Sequence, residues 1–420
     1  MSNFNYINGV LHAESVPLDA VTREVGTPLY VYSSKTIVSN YTEFDSALAS
    51  VKHSISYSVK ANSNIAILKL LGKLGAGMDI VSSGEYLRAR RAGIKGKNIV
   101  FSGVGKTKDE MAIAIKGGIK QINIESEPEL KSLNAVAQYC GKVVPIAVRV
   151  NPDINALTHN KISTGRSEDK FGIPYNEVLK FCQKLDKFNN IKLSGLAVHI
   201  GSQLTDLLPF RKAFEKISDL VKALRIAGHE ISSLDLGGGI GIRYSDDGNL
   251  INLKSYADLV RNELGNLECE FEFEPGRLIV GNAGVFLCSV IYLKQAEKRN
   301  FLILDGAMND FIRPAMYDAY HDIIPVKQNS KSSLLHVDVV GPVCETSDTF
   351  ARDREFPLMS GGDLVAILSC GAYGSVMSSE YNSRPLVPEV LVRDDEYAVI
   401  KARQSIESMI DRDKVPDWLS

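Results

Sequence analysis

Between about Ser34 and Arg277 the chain alternates short, β-rich apolar runs with longer stretches of helical period, and this alternation restricts the fold more than any other feature. Eight runs stand out: SISYSV before Lys60, AGMDIV to Val81, NIVFS to Ser102, QINIE to Glu125, VPIAVRV to Val150, LSGLAVHI to Ile200, SSLDL to Leu236 and EFEFE to Glu274. Segments such as NIAILKLLGKLG and FRKAFEKISDLVKALRIAG supply helices between them. Repetition of this kind builds a parallel sheet, either doubly wound and open or closed into a (β/α)8 TIM barrel of about 250 residues. The barrel makes the sharper prediction, because polar residues then collect at the C-terminal ends of the strands. Lys60 with Asn62, Asp79 with Ser82, Ser102, Arg149 with Asn151, His199, Gly237 to Gly239, and Glu274 with Arg277 all stand at or just beyond such ends. One mouth is expected to gather the chemistry.

After Arg277 the pattern changes to strands without long intervening helices: VFLCSVIYL, FLILDG, LLHVDVVG, DLVAILS, EVLVRD and YAVIKA. The N-terminal runs NGVLHA and PLYVYS read the same way. The expected division is a barrel over residues 35–277 and an all-β domain, sandwich-like or barrel-like, formed by residues 1–34 and 278–420. A chain of 420 residues exceeds the size at which a single core stops growing, which agrees with two domains. The connection 151–174 is long and poor in apolar residues, and reads equally as a lid or as a surface excursion.

Composition excludes several functions. With 45% hydrophobic and 23% charged residues, the chain has no apolar run long enough to span a bilayer. A net charge of -2, with Lys and Arg scattered, offers no field for nucleic acid. Cys140, Cys182, Cys269, Cys288, Cys344 and Cys370 are dispersed without CxxC spacing, which points away from a disulfide framework and a zinc site and towards reduced thiols in a cytoplasm. The first residues, MSNFNYINGVLHAES, lack the pattern of a signal peptide.

Among the residues at the mouth, Lys60 follows a buried strand, where desolvation favours a neutral amine able to form an imine; a solvated surface lysine is the plainer alternative. Gly237, Gly238 and Gly239 follow the seventh run, where bare backbone N–H groups approach a phosphate closely, although tight turns use glycine for conformational reasons alone. A second glycine site, EPGR at Glu274 to Arg277, closes the eighth run, and barrels often bind phosphate with the loops after strands seven and eight. Glu274 is either a structural ion-pair partner or an acid facing a pyridine nitrogen. His199 is either a satisfied core histidine or a ring stacked on an aromatic cofactor. Arg277 and Arg313 offer two guanidinium forks for a substrate with more than one carboxylate, and Glu345 offers a counter-charge to a distal ammonium. For Arg313 a surface or interface ion pair is the alternative.

Five motifs occur together in order: SVKAN at 58–62, HIGSQ at 199–203, GGG at 237–239, EPGR at 274–277 and GPVCETSD at 341–348. In this the chain resembles the fold-type III pyridoxal-phosphate decarboxylases, and among them the diaminopimelate decarboxylases, from about Leu29 to about Val392. The resemblance implies that Lys60 carries pyridoxal 5'-phosphate as a Schiff base, that His199 stacks on the ring and that Glu274 contacts its nitrogen. It implies a phosphate held around Gly237, Gly238, Gly239, Pro275, Gly276 and Arg277 with the Ser202 and Tyr373 hydroxyls, and acidic positions at Asp79 and Glu85. Substrate contacts fall to Arg277, Arg313, Tyr317, Glu345 and Tyr373, and the proton donor is Cys344. Cys344 and Glu345 reach into the partner's site in the family, which implies a homodimer with shared active sites. Ser83 stands where many members have glycine. Glu345 follows the cysteine, where ornithine-type relatives generally have aspartate. Meso-diaminopimelate is the expected substrate, with ornithine, arginine or carboxynorspermidine as alternatives, and the paired arginines with Glu345 argue against the simplest diamines. A racemase, which usually sets arginine against the pyridine nitrogen, and a catalytically silent homologue fit these residues less well. No metal is implied.

Overall fold

The structure, a computed structural model, describes residues 3–155, 164–166, 168–245, 248–328 and 332–419. The chain divides into two compact units, one of Val38–Arg243 with Asn249–Ile279, the other of Met1–Ile37, Tyr244–Gly248 and Val280–Ser420.

In the first unit eight parallel strands close into a TIM barrel. They are β1 (His53–Ser58), β2 (Gly77–Ile80), β3 (Ile99–Phe101), β4 (Gln121–Ile124), β5 (Val144–Asn151), β6 (Ile191–Val198), β7 (Ser233–Asp235) and β8 (Glu270–Phe273). Each of the eight runs read from the sequence overlaps one of them. Closure is made where β8 pairs with β1, with Phe271 opposite His53, Glu272 opposite Ser54 and Phe273 opposite Ile55. A two-residue strand, Ile173–Pro174, adds a further pairing to β5.

Helices α1 (Ile65–Lys73), α2 (Ser83–Arg91), α3 (Lys108–Lys116) and α4 (Glu127–Tyr139) follow the first four strands. Each starts on a side chain that accepts a backbone N–H: Asn64 from Ala66, Ser82 from Glu85, Thr107 from Glu110 and Ser126 from Glu129. At Thr107 the Glu110 side chain returns the bond and completes a capping box. These caps sit a few residues beyond the strand ends, so strand C-termini and helix N-termini share one mouth. On the longest helix, α6 (Leu208–Ile226), which follows the short α5 (Val178–Cys182), the buried Phe210, Ala213, Phe214, Ile217, Val221 and Leu224 recur at helical spacing, whereas Ile226 is 89% exposed.

The second unit is built on one branched nine-stranded sheet, which realises the all-β expectation. Its strands are Leu29–Ser33, β9 (Gly284–Gln295), β10 (Asn300–Leu304), β11 (Ile323–Pro325), β12 (Leu334–Val340), β13 (Thr349–Pro357), β14 (Leu364–Ile367), β15 (Glu389–Arg393) and β16 (Glu396–Lys401). β9 is central, pairing with Leu29–Ser33, β10 and β14. Its buried Phe286 lies 4.8 Å from the Tyr30 ring, and Val285 and Leu287 belong to a cluster with Leu11, Val31, Ala366 and Val390. The sequence reading missed β13. Its sequence TFARDREFP carries charge on exposed positions of a strand that pairs only with β12, a common device for blunting a sheet edge. Among the described residues no helix is long and apolar enough to cross a membrane.

Phe286→Ala should lower unfolding free energy by roughly 3–5 kcal/mol through loss of contacts and a residual cavity, whereas Ile226→Ala should stay within about 0.5 kcal/mol. Chemical denaturation of the two variants beside the parent checks the contrast.

Candidate active site

Lys60 leaves the barrel in the single turn Val59–Ala61 directly after β1. Its Nζ donates to Asp79 Oδ2 at 2.9 Å, and the same oxygen accepts from Ser58 Oγ at 2.8 Å. The Asp79 side chain is wholly buried while that of Lys60 remains 38% exposed, so a fixed carboxylate holds an amine that still faces open space. Asp79 Oδ1 is buried with no hydrogen-bond partner. Val81 N donates to Glu85 Oε2 at 2.8 Å, and burial pushes the Glu85 carboxyl up to about 7, with Asp79 adding to the rise and Lys60 opposing it. The Ser83 N–H is fixed by Glu110 Oε1 at 2.9 Å, so serine at this position leaves the backbone anchored.

Lys60 borders a cavity of about 180 Å³ that also takes in Arg149, His199, Asp235 and Glu274. His199 Nδ1 accepts the Gly238 N–H at 3.3 Å, so that nitrogen carries no proton and the ring is neutral. Burial drives its pKa well below the ordinary value, and the charges of Arg149 and Lys60 act in the same direction. A neutral ring offers the cavity a flat face at little electrostatic cost. Glu274 is pushed well above the carboxylate range, first by burial and then by the charges of Asp235 and Asp79, and its Oε1 accepts from Ser102 Oγ at 3.2 Å. Asp235 rises to about 6, again by burial first and then by Glu272. Arg149 is spoken for: it pairs with Glu125 at 3.0 Å and lies 4.9 Å from the Phe171 ring centre.

The glycines are required by close approach. A Cβ on Gly238 would lie 2.3 Å from the Glu274 carbonyl oxygen, and one on Gly239, whose φ is +102°, would lie 2.6 Å from that of Gly201. At Gly276 a Cβ would strike Ala61 Cβ and Ser58 Cβ at 2.9 and 3.0 Å. The Pro275 carbonyl accepts Ser58 N at 3.1 Å, and Arg277 donates to Ser202 Oγ at 3.1 Å. An amine at the rim, a neutral flat ring, a buried acid and a bare backbone cradle fit pyridoxal phosphate, which presents an aldehyde, an aromatic face, a ring nitrogen and a phosphate.

The remaining sequence-predicted residues lie in the β unit. Arg313 is buried, donating to Tyr244 Oη at 2.9 Å and to His321 Nε2 at 2.8 Å, while His321 Nδ1 donates to the Leu368 carbonyl at 2.8 Å. Its burial speaks against a surface position. Tyr317 ends the helix Arg313–Tyr317, and Tyr373 stands at φ +55°. Cys344 and Glu345 are exposed, on a turn shaped by Asp348, whose carboxylate accepts the N–H groups of Met308 and Val343 at 2.7 Å each. Of the connection 151–174, residues 156–163 and 167 lie outside the described residues, so the lid expectation is not addressed.

Sequence reasoning passed over Asp235, Asn123 and Asp348. An acid inside an apolar run directly before three glycines was the available signal for Asp235.

The raised acids carry a consequence for pH. The folded chain keeps the Glu85 proton up to about 7, whereas an unfolded chain releases it near 4.5, so stability falls as pH rises through that window. Glu85→Gln should flatten this part of the stability profile, by at most about 1.4 kcal/mol per pH unit for one proton. Urea denaturation at closely spaced pH values measures the slope in both proteins.

Comparison with known proteins places this geometry. Residues 34–281 match the family described as pyridoxal-dependent decarboxylase, pyridoxal binding domain. The diaminopimelate decarboxylase of Zymomonas mobilis is 44% identical over 423 residues, covering 100% of both chains. The crystal structure of diaminopimelate decarboxylase from M. jannaschii superposes with a TM-score of 0.95 at 35% identity, over 100% of this chain and 99% of that one. That of the Helicobacter pylori enzyme, complexed with L-lysine, gives a TM-score of 0.90 at 40% identity, over 94% and 98%. The chain belongs to the pyridoxal-dependent decarboxylases and, within them, to the diaminopimelate decarboxylase family.

Proposed function

We propose that the chain decarboxylates meso-2,6-diaminopimelate to L-lysine and carbon dioxide, the closing step of lysine biosynthesis, with pyridoxal 5'-phosphate as cofactor. The observation that carries this reading is the convergence of Lys60, His199 and Glu274 on one cavity, with the Lys60 amine held by Asp79, in a chain similar to diaminopimelate decarboxylases over its full length. When bound, the cofactor supplies a carbonyl that combines with amines and a ring that accepts the electron pair left by a departing carboxylate.

The chain's own groups do the rest. Lys60 would hold the cofactor through its amine, which Asp79 keeps in place. His199 would offer its neutral face to the ring, and Glu274 would supply a proton to the ring nitrogen. The backbone of Gly237, Gly238, Gly239, Pro275 and Gly276 cradles the phosphate with Ser202, Arg277 and Tyr373. Arg277, Arg313, Tyr317 and Tyr373 bind the substrate, the guanidinium groups meeting the carboxylate that is retained. Burial of Arg313 against His321 and Tyr244 restricts its fork to few orientations, which favours recognition of a planar carboxylate over a flexible amine.

Cys344 donates the proton that replaces carbon dioxide on the substrate carbon, and Glu345 meets the distal ammonium. Both side chains are exposed on the single chain, which supports their delivery to a second copy in a homodimer. All six cysteines are free, in keeping with a reducing, cytoplasmic setting.

Lys60→Ala should abolish carbon dioxide release and the absorbance of the bound cofactor; undiminished turnover would overturn the assignment. Sharing of sites is tested by mixing Lys60→Ala with Cys344→Ala, each nearly inactive. Random reassociation should restore about a quarter of parental activity, because half the mixed dimers' sites are intact. No recovery after verified subunit exchange refutes the shared site.

A further inference from the structure

The lower wall of the barrel mouth is a chain of four buried side chains, Asn123, Ser102, Asp235 and Glu274, joined by hydrogen bonds. Asn123 Oδ1 accepts from Gln121 Nε2 at 2.8 Å, so its amide end is the one turned to the mouth. That amide donates both protons, to Ser102 Oγ at 3.1 Å and to Asp235 Oδ2 at 2.8 Å. Ser102, having accepted one, gives its own hydrogen to Glu274 Oε1 at 3.2 Å. Asn123 thereby ties Asp235 directly, and Glu274 through Ser102, into one buried wall, where burial opposes a second negative charge and leaves one proton for the two carboxyls.

The donors decide which carboxyl holds it. Asp235 accepts two N–H groups, from Asn123 and from Gly237 N at 3.0 Å, one on each oxygen. Glu274 accepts a single hydroxyl on Oε1. Hydrogen bonds to the charged form favour that form, so the negative charge belongs on Asp235 and the proton on Glu274.

We propose that Asp235, locked as a carboxylate by Asn123 and the Gly237 N–H, is a positioning residue for the reaction: it keeps the pair's proton on Glu274, and once Glu274 has passed that proton to a ring nitrogen it holds it there. The proton moves from Glu274 Oε2 to the nitrogen, and two carboxylates remain behind it in a desolvated wall. Asp235 thus acts on the ring through Glu274 without touching it. This rests on the reading that Glu274 meets the ring nitrogen. Other charged or titratable groups face the pair: Lys60 and Asp79 at the ends of β1 and β2, Arg149 and the neutral His199 from β5 and β6, and Glu272 below on β8, itself paired with Lys120. Burial raises both acids.

The test begins with the cofactor-free protein, grown with 13C-carboxyl glutamate, whose protonated carboxyl stretch is followed by infrared difference spectroscopy against pH. An isotope-shifted band persisting above neutrality, absent in Glu274→Gln and titrating about one pH unit or more lower in Asp235→Asn, is the expected result. An unmoved midpoint in Asp235→Asn, or a persistent band without the isotope shift, overturns the proposal. Asn123→Ala provides a second variant that keeps both carboxyls: loss of its donors should draw the proton towards Asp235 and weaken the isotope-shifted band, and an unchanged band counts against the proposal. In the loaded enzyme, 15N resonance of a ring-labelled cofactor should show deprotonation at lower pH in Asp235→Asn, with kcat reduced about tenfold or more and KM little changed. A ring nitrogen that responds to Glu274→Gln and ignores Asp235→Asn overturns the positioning role. One that ignores both overturns the placement of the ring under Proposed function, while the infrared result still supports the proton on Glu274.

Discussion

Closure of the barrel between β8 and β1 is the constraint on which the site depends. Once Glu272 is paired opposite Ser54, alternation along the strands decides which side chains are inside. Ser54 and Ser58 on β1, with Glu272 on β8 and Glu274 just past its end, bond across to polar side chains of other strands. The result is a polar lumen at the C-terminal end of the strands, where Asp79 holds the Lys60 amine and Asp235 and Glu274 line one cavity with Lys60 and Arg149. Burial opposes ionisation of both Asp235 and Glu274. The raised acids and the lowered histidine are therefore two expressions of one fact, the desolvation imposed by the closed wall.

The β unit meets a different requirement by a different device. Its functional candidates lie on turns, and turns need local anchors to hold side chains to a geometry. Asp348 supplies one by gathering N–H groups from Met308 and Val343, which fixes the loop bearing Cys344 and Glu345 while leaving those side chains outside. His321 supplies another, its Nδ1 proton spent on the Leu368 carbonyl so that Nε2 is free to accept from Arg313. Buried carboxylate and imidazole groups thus act here as backbone and guanidinium clamps, with no part in proton transfer.

Legibility followed how local each signal is. The eight barrel strands could be read because an apolar run between turn residues is a property of neighbouring positions. β13 could not, because ARDRE places charge where an edge strand meets solvent and the pattern is indistinguishable from a polar loop. Lys60, His199, Glu274 and the glycines were legible from motif and strand end together. Asp235 was hidden inside SSLDL, and its significance comes from β4 and β8, far away in sequence. Asn123 was hidden more deeply, since an asparagine in QINIE declares nothing until Gln121, Ser102 and Asp235 are seen around it. Arg313 was legible as a charge; its burial against His321 and Tyr244 was not.

A lumen assembled this way is costly to fold, because every carboxyl left partly unsatisfied subtracts from stability. Asp79 Oδ1 and Glu272 Oε1 are buried without partners, and Gly195 cannot take a side chain because a Cβ would sit 1.9 Å from the Ser233 carbonyl oxygen. The offset comes from outside the lumen, from Phe273 packed edge-on against Phe44 at 5.7 Å and against Tyr256 at 6.1 Å, in the layer between strands and helices. Stability and chemistry are thereby assigned to opposite faces of the same strands. Phe273 and Glu274 are consecutive residues, one supporting the core and one destabilising it, and alternation along β8 keeps the two tasks apart.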